Sequence, residues 1–207
     1  MSETDEKLAS LIGSRICHDL ISPIGAVTNG LELLELSGVP KGPEVDLVNQ
    51  SAQSAAARIK YYRLAFGDCG QLDSDHVVKS AEIVGILSNV FIGGRMNVAW
   101  HVEQERSRAE VKAALLAIMC AEAALGSGGS IDISLQKNDW IIEGNGRKLM
   151  LQPDLWQFLQ SDMSDVFTPD IAIAPAAVQF ALLPQILGQL GRHLSVTATD
   201  QTLFLTF

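Results

Sequence analysis

Cys17-His18-Asp19-Leu20-Ile21-Ser22-Pro23-Ile24-Gly25-Ala26-Val27-Thr28-Asn29-Gly30-Leu31 is the stretch on which the fold turns. It lies inside a longer periodic run from Leu8 to Leu36. There Gly13, Cys17, Leu20, Ile24, Val27, Leu31 and Leu34 fall on one helical stripe. Gly38, Pro40, Gly42 and Pro43 break that run in a turn. A second segment follows, with Val48, Ala52, Ala55, Ile59, Tyr62 and Phe66 on its stripe and Gly67 and Gly70 closing it. Pro43 suits a first helical position, and Glu44 and Asp46 suit the positive end of a helix. The two segments predict a long helical hairpin over residues 1–70. Two helices give only one layer of contact, whereas a four-helix bundle encloses a core. Ala52, Ala55, Ala56 and Ala57 would let another helix approach closely. The expected partner is a second copy, giving a homodimer with a dimeric four-helix bundle; the alternative is packing on the chain's own C-terminal half.

Residues 74–207 mix helices and strands. Val77 to Phe91 reads as a helix, Asn97 to Val102 as a strand, and Arg108 to Leu125 as an Ala/Leu-rich helix stopped by Gly126-Ser127-Gly128-Gly129. Ile131 to Leu135 alternates with period two and turns at Asn138-Asp139 into Trp140 to Glu143, a hairpin. A short helix is expected around Asp154 to Gln160 and a longer one from Pro175 to Leu190, bent at Pro184. Leu194–Thr199 and Thr202–Phe207 form a last hairpin. The fold class predicted is α+β: the N-terminal hairpin, then a C-terminal α/β two-layer sandwich with a mainly antiparallel sheet.

Composition narrows the function classes. The chain has 207 residues, 47% of them hydrophobic, which suits a folded protein with a sizeable core. Its formal charge of −9 repels a phosphate polyanion, so no nucleic acid is expected as a partner. No apolar run is long enough to cross a membrane, and the polar, acidic stretch Met1 to Lys7 is unlike the start of a signal peptide. Cys17, Cys69 and Cys120 are odd in number and lack metal spacing, which suits free thiols in a reducing compartment. The expectation is a cytoplasmic protein.

At about 100° per residue, His18, Ser22, Gly25 and Asn29 share one narrow arc, roughly opposite the stripe through Leu20, Ile24, Val27 and Leu31. His18 is therefore expected to project into solvent from a rigid helix. Pro23 removes the hydrogen bond to the carbonyl of Asp19, one turn past the histidine. An exposed imidazole beside a carboxylate suits nucleophilic attack on phosphorus. One ring nitrogen attacks, and Asp19 can accept the proton of the other and fix the tautomer. Ser22 could support the ring or a water. His76, His101 and His193 are scattered and read as ordinary histidines. Arg58, Lys60 and Arg63 read as a solvated face able to meet an acidic partner.

His18-Asp19-Leu20-x-x-Pro23 resembles the phospho-accepting motif of histidine-kinase dimerisation domains, and the match extends through Ile24 to Leu34. The whole stretch is similar to the ChpT-type histidine phosphotransferases. That resemblance implies a homodimer with a kinase-like hairpin followed by a degenerate kinase ATP-binding-like domain. A working kinase domain would carry an Asn-x-x-x-Asn pair in the helix at 108–125, where this chain has Ala117 and Ala121. Neither can ligate a hard cation. Glu143-Gly144-Asn145-Gly146-Arg147 only partly matches an Asp-x-Gly-x-Gly adenine site and reads as a turn or loop. Ala174 to Phe180 lacks the glycines that would bring backbone to a phosphate. The resemblance implies phosphorelay transfer. His18 would take a phosphoryl group from the receiver domain of a hybrid histidine kinase and pass it to response regulators. No cofactor or metal would be bound, and Mg²⁺ would arrive with the receiver. Arg15, Ser22, Gly25 and Asn29 would belong to the partner-binding surface. The rivals are a divergent ATP-using kinase and a non-catalytic dimeric adaptor.

Overall fold

A computed structural model describes residues 3–37, 42–67, 77–159 and 173–207. The side chains of Cys17 and His18 lie outside that description, as do Cys69, His76 and the turn at 38–41. Helix α1 (Glu3–Ser37) runs unbroken through Pro23, and α2 (Pro43–Ala65) starts on its proline. The two pack along each other as the predicted hairpin.

The buried side of α2 is Ala57, Tyr61, Tyr62, Leu64 and Ala65. Tyr62 of the expected stripe is among them, whereas Ile59 stands 54% exposed in the single chain, as do Ile24 (55%) and Leu31 (50%) on α1. The reason is that α2 packs on the chain's own α3 (Ser80–Val90) and α4 (Arg108–Ala124), so its inner face is set by those helices as well as by α1. The alternative to pairing with a second copy is thus realised at this end of the hairpin. The C-terminal carbonyls of α2, which have no partners within the helix, are met by two cations of α4. Lys112 Nζ donates to the Gly67 carbonyl at 2.9 Å and Arg108 to the Arg63 carbonyl at 3.1 Å. Positive charge at that end also suits the helix dipole.

The C-terminal half is a two-layer arrangement of helices on one face of a sheet. Its strands are β2 (Met96–Trp100), β4 (Gly129–Gln136), β5 (Asp139–Gly146), β6 (Ser195–Ala198) and β7 (Thr202–Thr206), in the order β2-β4-β5-β7-β6. Only β2 and β4 are parallel. Ile131, Ile133, Trp140, Ile142, Leu203 and Leu205 point to the buried face and are fully enclosed. There they meet α4, nearly all of it buried, and α6 (Val178–Gln189) packs against α4. A 3-10 turn, Pro175–Ala177, leads into α6, and α5 (Pro153–Phe158) packs beside it.

Two expectations change. The helix predicted from Val77 starts only at Ser80, because β1 (Val77–Val78) pairs antiparallel with β3 (Arg106–Ser107). Gly144 and Gly146, read as a turn, are the end of β5, paired with β4 and β7. The glycines answer to packing: a Cβ at Gly144 would lie 3.2 Å from Leu125 Cδ1, and one at Gly146 2.5 Å from Cδ2. A side chain at either position would push the enclosed Leu125, at the end of α4, off its place against the sheet.

Candidate functional site

His18 lies in α1, one residue before Asp19 and one turn before Ser22. Those two neighbours edge a groove of about 460 Å³ between the hairpin helices. Its other walls include Ser54 and Arg58 of α2 and Ile92-Gly93 of the turn after α3, so the C-terminal half contributes a rim. Gly25 and Asn29 are exposed further along α1. Ser22, Gly25 and Asn29 thus share an accessible side of the helix, while the groove takes in Ser22 but neither of the others.

Arg15 and Asp19 face inward. Arg15 Nε donates to Asp19 Oδ2 at 2.7 Å, and a second guanidinium nitrogen donates to the Ala176 carbonyl at 2.6 Å. With 16% of its side chain exposed, Arg15 is a strut from α1 to the 3-10 turn rather than a free group on an open docking face. The same Asp19 oxygen accepts the Tyr62 hydroxyl of α2. Burial, then the bond to Asp19, hold the Tyr62 hydroxyl well above the ordinary phenol range, so it stays protonated and donates. Glu122 of α4 closes the cluster from below. Burial raises its carboxyl above the usual range against the pull of Arg15 and Arg58.

Sequence reasoning passed over Tyr62, which it placed on an apolar stripe, and the depth of Arg15. The available signal was that the chain's two tyrosines stand side by side. Adjacent helical residues diverge by about 100°, and these reach two different helices: Tyr61 donates to the Leu115 carbonyl of α4 at 2.8 Å, Tyr62 to Asp19 of α1.

Ala117 and Ala121 are fully enclosed in the core. The nearby cavity of about 450 Å³ is lined by Ala123, Leu155, Phe158, Ala177 and Phe180, with Asp154 its one carboxylate. His101 bonds Asp132 at 2.9 Å and His193 is exposed. Among the described residues, no three His, Cys, Asp or Glu side chains group as a metal site, and no helix is long and apolar enough to cross a membrane.

Residues 80–202 match the family described as the histidine phosphotransferase C-terminal domain. Over 199 residues the chain is 29% identical to the protein phosphotransferase ChpT of Brucella abortus (strain 2308), covering 94% of this chain and 91% of that one. A bacterial phosphotransferase structure at 1.7 Å superposes with a TM-score of 0.77 at 26% identity, covering 100% of this chain and 97% of the other. The family match takes in more than half of the chain, and the two relatives carry the likeness through the hairpin as well. The chain belongs to the histidine phosphotransferase family and is of the ChpT type.

Proposed function

We propose that this chain is a phosphorelay carrier that holds a phosphoryl group on His18. The observation that supports the reading most is the setting of His18-Asp19-Leu20-x-x-Pro23. The motif lies mid-helix on a hairpin, beside a polar groove rimmed by the C-terminal half, in a chain of this family. A neutral His18 nitrogen attacks the phosphorus of a receiver's phospho-aspartate. The N–P bond forms as the P–O bond breaks, and the electron pair leaves with the aspartate carboxylate. The other ring nitrogen keeps its proton or shares it with an acceptor, the role assigned to Asp19. Reversal onto the aspartate of a response regulator completes the relay. Little covalent work falls to the protein, so catalysis is mainly alignment and charge neutralisation, with Mg²⁺ brought by the receiver.

The division of labour follows residues 1–70 for transfer and docking, and residues 74–207 as a degenerate kinase-like domain that steadies the hairpin. Ser22, Gly25, Asn29 and the groove make up the docking face, Arg15 supporting it from beneath. The exposed Ile24, Leu31 and Ile59 supply the surface through which two copies pair as a four-helix bundle. The donor is the receiver domain of a hybrid histidine kinase, the acceptors are response regulators, and the compartment is the cytoplasm. Transfer reconstituted with a phosphorylated receiver tests the reading: the wild type is labelled, and His18→Ala is not. Unchanged labelling of His18→Ala sinks it. Self-labelling with ATP and Mg²⁺ alone would show a kinase instead.

A further inference from the structure

The carboxylate next to the phospho-acceptor is held from two helices. Its Oδ2 takes the Arg15 guanidinium from one turn earlier in α1 and the Tyr62 hydroxyl from α2, and its side chain is only 12% exposed. Arg15 in turn is fixed to the Ala176 carbonyl ahead of α6. Tyr62 is itself wedged, its ring stacked on Phe66 and edge-on to Tyr61. Two donors on one oxygen remove the rotational freedom of a carboxyl group, and with it the freedom of the second oxygen. Such rigidity is excessive for a surface charge on a helix. It is what a group that must meet an imidazole proton in one geometry requires.

Resting on the phosphotransfer reading above, we propose that Tyr62 is a positioning residue for the reaction, acting through Asp19: with Arg15 it fixes the carboxylate to which that reading gives the tautomer-setting role. Among the described residues, the charged and titratable groups around that carboxylate include Arg15 on its own helix, Tyr62 on α2, Arg58 on α2 across the same groove, and Glu122 on α4. Removing the hydroxyl takes away one donor to Oδ2. The carboxylate then holds a proton more readily, and its less neutralised charge holds one more readily on the neighbouring imidazole. Both effects demand a higher pH for the attacking, neutral ring.

The test is Tyr62→Phe in the full-length protein, with transfer from a phosphorylated receiver followed by rapid quench against pH and receiver concentration. Loss of a hydrogen bond to a charged group typically costs ~10–100-fold, and the lower end, about tenfold, is expected for one that acts through a second residue. The saturating rate is expected to fall by that factor while the half-saturating receiver concentration moves less than about twofold. The acidic limb of the pH–rate profile should shift upward. In an Asp19→Asn background the substitution should have no further effect, since the two act as a unit. A wild-type rate with an unmoved profile, or an equal loss in both backgrounds, overturns the proposal. A purely structural tyrosine gives the second pattern. If Tyr62→Phe does not fold, a fluorotyrosine at the same position strengthens the donor without changing its shape, and the acidic limb should move down; an unmoved limb overturns the proposal. Labelling of His18→Ala would instead defeat the phosphotransfer reading, whatever Tyr62 does.

Discussion

The two ends of the hairpin solve the same packing problem differently. Around Tyr61 the helices are tied into their own chain. The Tyr61 hydroxyl meets the α4 backbone, Arg108 and Lys112 cap α2, and Ala57, Leu64 and Ala65 vanish into the core. Toward the turn, Leu33 (47%), Leu36 (84%) and Leu47 (45%) join Ile24 and Leu31 in standing exposed. One end is complete within a single chain; the other leaves Ile24 and Leu31 together on one side of α1, with Leu33 and Leu36 exposed on other sides of the same helix. The difference separates what holds the protein up from what it offers to another molecule. Along α1, His18 lies between the two regimes.

The sharpest way to break this comparison is to charge the exposed face. Ile24→Glu with Leu31→Glu costs a lone chain nothing measurable, because both side chains are already in solvent there. In a symmetric pair each buried aliphatic side chain contributes roughly 1.5–3 kcal/mol and every change counts twice, so about 6–12 kcal/mol of association is at stake. Sedimentation should show the mass halved while helical content is retained. An unchanged mass would remove the bundle from the proposal.

The enclosed side should respond in the opposite sense. Leu116 in α4 is fully buried. Leu116→Ala should destabilise the fold by about 2–5 kcal/mol, whereas Leu33→Ala on the open face should cost a single chain little. Denaturant titrations at a concentration where the protein is monomeric compare the two. Equal costs would mean that the exposed end is as integral to the fold as the core.

Which of these regimes a residue joins was only partly legible from the sequence. The β4–β5 and β6–β7 hairpins follow from local pattern, since one face of each turns to the core and alternation reports it, and α4 is legible as a long Ala/Leu-rich run with a glycine stop even though α2, α6 and the sheet bury it on several sides. α2 defeats that logic because it packs against α1, α3 and α4 at once, so its buried residues do not fall on one simple stripe. The strand at Gly144–Gly146 was hidden for a related reason: glycines normally argue for a turn, and only the approach of Leu125 from a distant helix explains them here. At the site, the His-Asp-Leu-x-x-Pro spacing was visible because chemistry fixes it locally. The roles of Tyr62, Arg58 and Glu122 were not, since they arise from three helices meeting in space.

The smallest effect expected lies at that meeting point, on Glu122. Burial raises its carboxyl above the ordinary range, overcoming the attraction of Arg15 and Arg58. A carboxyl whose proton affinity is higher folded than unfolded makes the native state bind more protons between the two values. Its contribution is therefore intact below the unfolded value and declines as pH rises through the folded one. The charged form at neutral pH is thus a mild burden on the well-packed end of the hairpin. Glu122→Gln keeps the shape and removes the charge, so its melting temperature at pH 7 should exceed the wild type's, by no more than the ~2–4 °C that about 1 kcal/mol gives at this size. The gap should close as the pH is lowered toward the ordinary glutamate range. A variant that melts lower at pH 7 would mean that the two arginines outweigh burial, and that the cluster is held together by charge rather than in spite of it.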